Sequence, residues 1–307
     1  MSPRRHRLQA PRRIGKLLII PGPFFPSWAL YRACSIVIED GERAIVDPGS
    51  SAEALEPVAE QGVAVNINTH HHGDHMLFNP LFAGAELWLS EPEAETYGDL
   101  DLIAEEYGAD RKLAELWKLR IDPRERAAFA LPVSRTVADG ERVSIGDTEI
   151  VFHLLPGHAR GMLGLEFPRE RLVYTADVDL TMFGPWYGQR SSSIDAFIDS
   201  ARAIAELDAD HFLTGHEEGL LTADEFRERL PGYLGIIDRR DERLLSWLDE
   251  PRRPAELIGR GMVYPPKSIR ENPWVLHWEM MHLKAHLARL ALRGAVLEDD
   301  GGRFCRS

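Results

Sequence analysis

A mixed α/β fold with a mostly helical tail is predicted by three features of the sequence. Short apolar, β-branched runs such as 63–67 and 171–175 recur up to about residue 220, and turn pairs such as Asp40-Gly41 and Gly146-Asp147 join several as hairpins. Helical patterns alternate with these runs, which gives strand–helix–strand units. Beyond Leu220 the strand signal gives way to helices.

Taken in order, residues 16–20 and 35–38 read as strands, and Asp40-Gly41 turns the second into 44–46. Asp47-Pro48-Gly49 closes that hairpin, and Ser51 caps a helix over 52–61 that leads back to strand 63–67. The strand runs into Asn68-Thr69-His70-His71-His72-Gly73-Asp74-His75. Residues 76–82 read as helical, 85–89 as a strand, and a charged helical insertion starts at Glu91. Within it Leu113, Leu116 and Trp117 recur at helical spacing, which assigns them to core contacts, with a lid as the alternative. Residues 141–145 and 148–154 form a hairpin, and 161–167, 171–175 and 209–213 are further strands. His153 and His211 lie inside strands and read as packed or surface groups. In the tail, Thr222 caps 223–230, two helices follow at 239–249 and 254–258, and a long one spans 275–293. Gly294 stops it before a small hairpin over 296–304.

Four potential ligands, His70, His72, Asp74 and His75, crowd one turn at a strand end. Neutral imidazole and carboxylate are what zinc and similar metals take from proteins, and a strand-end loop lets such side chains converge. Gly73 permits the tight backbone that convergence needs.

The pattern His70-x-His72-x-Asp74-His75 resembles the signature of the metallo-β-lactamase superfamily of metal-dependent hydrolases, and the chain supplies counterparts of that family's later ligands in order: His158, Asp177 and His216. The resemblance covers residues 16–220 and implies an αββα sandwich over 16–232, preceded by a flexible basic arm over 1–15. A small helical module over 233–307 follows, similar to a winged helix. It implies that His70, His72 and His158 hold one divalent ion and that Asp74, His75 and His216 hold a second, with Asp177 bridging and Asp179 as the competitor for that role. Zinc is the first choice of metal, with iron or manganese compatible with the same donors. Two such ions, roughly 3.5–4 Å apart, activate a shared water as hydroxide and polarise the scissile group, with Asp74 orienting the hydroxide or shuttling a proton.

Asp47 matches a position that supports the metals from behind, or is an ordinary turn residue. The chain departs from the family at Ala159-Arg160, in place of Thr-Pro, at Ala176 before the bridging Asp, and at Glu217 after the last His, the latter two where Gly is usual. Arg160 faces either an anionic substrate or solvent. The loop 182–190 offers Trp186, Tyr187 and Arg190 as a substrate wall, a phenol and a charge, or as core plugs. His282 and His286, four apart on one helix, read as a surface pair or as metal ligands.

The activity implied is hydrolysis of a small ester, thioester, lactone or amide. The alternatives are a nuclease or phosphodiesterase whose tail contacts nucleic acid, and an iron oxygenase on the same scaffold. A net charge of −13 disfavours a general nucleic-acid binder, so a small-molecule substrate is the expected partner. The two cysteines, Cys34 and Cys305, fit a reducing compartment and place no thiolate near the cluster. No apolar run approaches the ~18 residues of a membrane span. Cytoplasmic residence is therefore expected, and the oligomeric state stays open, a homodimer included.

Overall fold

The computed structural model describes residue 8, residues 10–25 and residues 30–307. Its core lies between two sheets. The first has seven strands whose spatial order follows the chain: Arg12–Ile14, Leu17–Ile20, Ser35–Asp40, Glu42–Val46, Val65–Ile67, Glu86–Ser90 and Val133–Val137. Hairpin pairing is antiparallel as far as Glu42–Val46, and the remaining pairings are parallel. The second has six strands, Arg142–Ile145, Thr148–Leu154, Leu163–Phe167, Leu172–Tyr174, His211–Leu213 and Leu220–Thr222. There only Leu172–Tyr174 and His211–Leu213 run parallel, linked across the Ile194–Ala205 helix as a parallel pair requires.

Alternation along the strands aims Leu17, Ile19, Ile36, Ile38 and Val46 of one sheet and Ile150, Phe152, Leu163 and Leu165 of the other into one shared cluster. On the outer face of the first sheet, Val37 and Ile45 meet Leu55 and Val58 of the Ala52–Glu60 helix, which Ser51 caps. On the outer side of the second, Phe226 stacks on Phe212 with centroids 4.4 Å apart. The layers are therefore helix, sheet, sheet, helix.

Three local expectations change. Of the basic arm, Arg12–Ile14 is an edge strand, with Arg13 paired to Glu39; residues 1–7 and 9 lie outside the described residues. The helices expected at 223–230 and 239–249 are one, Ala223–Leu245, running through Pro231 and across the 232/233 boundary. Local propensity breaks a helix at proline, but here one face packs on both sides of the break. Phe226, Leu230 and Tyr233 pack on the second sheet and the Ile194–Ala205 helix, Ile237 meets Tyr187, and Leu244 joins a separate tail cluster with Leu283, Leu287 and Val296. Finally, Gly73 opens a short helix, Gly73–Met76, without a left-handed backbone. Its lack of a Cβ matters instead because one would meet the Glu125 carboxyl carbon at 2.7 Å. The insertion forms four helices between Glu91 and Phe129, and half-buried Trp117 packs against Phe129 and Tyr107.

The tail closes with Pro254–Leu257, Pro266–Glu271 and Pro273–Leu292 and a hairpin of Val296–Glu298 with Phe304–Arg306. No helix among the described residues is long and apolar enough to cross a membrane.

Candidate metal centre

All seven predicted ligands meet at one end of the sandwich, on loops that follow strands. Val65–Ile67 feeds His70, His72, Asp74 and His75, Thr148–Leu154 feeds His158, Leu172–Tyr174 feeds Asp177, and His211–Leu213 feeds His216. Two groups form, His70 with His72, His158 and Asp177, and Asp74 with His75 and His216, the ligating atoms within each lying within 4.8 Å of one another. Gly49 allows the loop before the first helix to pass this close, because a Cβ there would stand 1.8 Å from the Asp74 carbonyl oxygen.

In the first group, His72 Nδ1 lies 2.9 Å from both His70 Nε2 and His158 Nε2, which are 3.3 Å from each other. Zinc bound tetrahedrally at ~2.0–2.1 Å would set its nitrogens ~3.3–3.4 Å apart, so three buried nitrogens converge at close to that spacing. In the second, His75 Nε2 and His216 Nε2 are 3.2 Å apart, with His216 Nε2 3.5 Å from Asp74 Oδ2. Asp177 stands between: Oδ1 is 2.9 Å from His75 Nε2, and Oδ2 is 3.2 Å from His158 Nε2. Its Oδ1 is buried with no hydrogen-bond partner. Converging imidazoles, an orphaned carboxylate oxygen and the absence of thiolate fit a divalent cation with nitrogen and oxygen ligands.

Burial pushes the pKa of His70, His72 and His158 down, favouring the neutral rings that bind metals. At His75 and His216 burial acts in the same sense, but carboxylates outweigh it. Asp177 and Asp47 hold His75 well above its ordinary value, and Asp179 and Asp177 raise His216 to about 10. Burial lifts Asp179 to about 7.

The rings are held from behind as metal-binding histidines are. Asp47, fully buried and with φ of 46°, accepts from the Thr69 amide at 2.7 Å. It also accepts from the Thr69 and Tyr174 hydroxyls, each at 2.8 Å, and lies 2.8 Å from His75 Nδ1. Of its two sequence readings, support from behind the metals is the one this arrangement matches. His158 Nδ1 is 3.0 Å from the Trp186 carbonyl oxygen. Asp179, the competitor for the bridging place, accepts from the His216 amide at 3.1 Å and shares a potential ligand group with Asp177 and His216.

Of the expected substrate residues, only Trp186 stands at the cluster, half-buried, its ring centroid 5.3 Å from those of His72 and His158. Tyr187 is fully buried and turned away, its hydroxyl 2.8 Å from His286 Nε2 and accepting from Arg240 Nη1 at 2.8 Å. Arg190 is exposed, 3.6 Å from the Glu105 carboxylate. Arg160 is paired with Glu95 and Glu106 rather than offered to an anion. His282 and His286 are neither surface groups nor gathered with other ligands. Both are fully buried, His286 facing Asp241 at 2.5 Å and His282 Nε2 accepting from the Tyr187 amide at 3.3 Å. Cys34, expected far from the site, lies beneath it, its amide donating to the Gly215 carbonyl at 2.7 Å, but burial pushes its thiol up to about 12 and keeps it un-ionised.

Sequence reasoning passed over Tyr107, whose ring stacks over His72 at 6.0 Å, and Gln189, whose amide reaches His71 and His72. It also passed over Arg240, which donates to the carbonyls of Phe183 at 2.7 Å and Pro185 at 2.6 Å and so anchors the loop carrying Trp186. The tail helix meets the insertion directly, His277 Nε2 lying 2.7 Å from the Tyr107 carbonyl oxygen.

Residues 28–216 match the family described as the metallo-beta-lactamase superfamily. A hydroxyacylglutathione hydrolase of Synechocystis sp. is 30% identical over 228 residues, 69% of this chain and 77% of that protein. Another of that name, from Xanthomonas euvesicatoria, is 28% identical over 64% of this chain and 62% of its own length, so the chain spans less than two thirds of it. In fold, the chain is similar to a metallo-beta-lactamase family protein of Thermus thermophilus, with a TM-score of 0.70 and 24% identity over 95% of this chain and 99% of that one. That likeness takes in the tail as well as the sandwich.

Proposed function

This chain belongs to the metallo-beta-lactamase superfamily, and from that premise we propose that it is a dinuclear metal-dependent hydrolase of a small acyl substrate, a thioester first among the candidates. The observation that carries the reading is the placement of Asp177 between two ligand groups, its Oδ1 toward His75 and its Oδ2 toward His158. His70, His72 and His158 would hold one ion, and Asp74, His75 and His216 the other, zinc being the first choice. When bound, such ions lower the pKa of a shared water towards neutrality and polarise the carbonyl under attack.

The chain's own residues do the rest. The neutral, buried imidazoles of His70, His72 and His158 donate without first shedding a proton, and Thr69 and the Trp186 carbonyl hold the rings of His70 and His158 in register as Asp47 holds that of His75. Asp74, one third exposed at its side chain, is the ligand nearest solvent and the candidate to orient the attacking water and return a proton to the leaving group. Trp186 and Tyr107 wall the His72 side with aromatic surface, which suits an apolar acyl group. Two relatives named for hydroxyacylglutathione make an acyl thiol the first class to try.

The test is a panel of thioesters, esters, lactones and phosphodiesters run on zinc, manganese and iron forms, beside His72→Ala. The substitution is expected to lower bound metal by about one ion per chain and to reduce turnover at least ~10³-fold with the fold retained. Undiminished turnover of the best substrate by His72→Ala defeats the reading.

A further inference from the structure

His72 enters its ligand group through Nδ1, whereas His70, His75, His158 and His216 all enter through Nε2. A neutral ring that offers Nδ1 as its lone pair carries its proton on Nε2. That N–H is enclosed and needs an acceptor. The group beside it is the side-chain amide of Gln189, itself 3% exposed, whose Nε2 stands 2.9 Å from His72 Nε2 and 2.9 Å from His71 Nε2. Its Oε1 is buried with no hydrogen-bond partner. An amide's oxygen and nitrogen exchange places by a half-turn with no change of shape, and the partners decide which is which. Facing a ring that must donate, the oxygen belongs where the nitrogen stands.

Gln189 is in turn held on both sides. His71, between two ligands yet turned from the metal groups, has its Nε2 at this amide and its Nδ1 2.5 Å from Glu93. Glu93 is 1% exposed and also accepts from the amides of His71 at 3.0 Å and Gly161 at 2.9 Å. The backbone of Gln189 is fixed by Ser192, whose hydroxyl accepts from the Gln189 amide at 3.1 Å and donates to the His158 carbonyl at 2.8 Å.

We propose that Gln189 is a positioning residue: its amide oxygen accepts the Nε2–H of His72 and locks that ring in the tautomer that binds metal through Nδ1, while His71, lying between two oxygens, donates from Nε2 to the same amide oxygen and from Nδ1 to Glu93. The inference rests on the metal-centre reading. Its test is zinc affinity, measured by competition with a chromophoric chelator, for the unsubstituted protein, Gln189→Glu, Gln189→Asn and Gln189→Met. Glutamate keeps an acceptor at the same reach and is expected to bind zinc at least as tightly as the parent. Asparagine withdraws the acceptor by one methylene and methionine removes it. Each is expected to weaken one of the two ions by about 10- to 100-fold, the range for lost outer contacts of a histidine ligand. Asparagine serves where methionine fails to fold, which thermal unfolding of the metal-free forms reports. Unchanged affinity in Gln189→Asn, or an equal loss in Gln189→Glu, overturns the proposal while leaving the metal centre standing. Absence of zinc binding by the unsubstituted protein overturns both.

Discussion

The two ligand groups sit side by side and are built on opposite electrostatic plans. His70, His72 and His158 are neutral by burial and are held from behind by neutral groups: the Thr69 hydroxyl, the Gln189 amide and the Trp186 carbonyl. His75 and His216 are surrounded by carboxylates, Asp47, Asp74, Asp177 and Asp179, which outweigh burial and favour the protonated rings. The first group is ready for a cation as it stands. On the proposed reading the second holds protons that a metal would have to displace, because ligands must give up protons to bind.

Zinc affinity should therefore depend on pH in two ways. In the metal-free protein His216 holds its proton up to about 10, so an ion entering the second group must expel it. His75 is held protonated in the same way, so affinity for that ion is expected to rise by about ten- to a hundredfold per pH unit between pH 7 and 9, according to whether one ring or both must shed a proton. Rings already neutral at pH 7 release nothing, so the first group should change by less than about threefold over the same span. Chelator competition at a series of pH values resolves the two ions, and parallel slopes would erase the contrast.

A smaller effect separates the groups by their support. The carbonyl opposite His158 belongs to Trp186, on a loop that Arg240 fastens through Phe183, Pro185 and Tyr187. Arg240→Met leaves those acceptors enclosed without a donor, at a cost of about 2–4 kcal/mol in unfolding free energy. Zinc on the first group should weaken by about tenfold and zinc on the second should hold. Denaturant unfolding and chelator competition on one preparation check both halves. An equal loss in both groups would make Arg240 a prop of the whole fold.

How much of this could be read from sequence follows from distance along the chain. The cluster at 70–75 is compact, so its spacing pointed to a metal site, and the resemblance to the superfamily added His158, Asp177 and His216, which the fold gathers beside it. The loop at 182–190 carried no such signal. Whether Tyr187 or Gln189 turns toward the metals depends on Arg240, His286 and His71, the last of them 118 positions from Gln189. Composition named a stretch that borders the ligand cluster but not which of its side chains face inward. The gap expected between helices 223–230 and 239–249 failed to appear for a related reason: local preference was outweighed by Phe226, Leu230, Tyr233 and Ile237, each packed against a remote part of the chain.

The two departures from glycine gain meaning only with backbone angles. Ala176, before Asp177, has φ of 45°, and Glu217, after His216, has φ of 33°, both in the region that glycine enters freely. A side chain there costs about 1–2 kcal/mol. At Ala176 the buried methyl, worth about 0.8 kcal/mol, offsets much of that. Glu217 is half-buried and strained. Glu217→Gly trades that strain for about 0.4–1 kcal/mol of added freedom in the unfolded chain, so a gain of about 0.5 kcal/mol is expected in metal-free unfolding. Strain held beside a ligand also narrows the positions that ligand can take. Relief should therefore loosen His216 and weaken zinc on the second group by about two- to threefold, leaving the first unchanged. Greater stability with unaltered second-group affinity would mean that the Asp179 contact to the His216 amide sets the ring by itself.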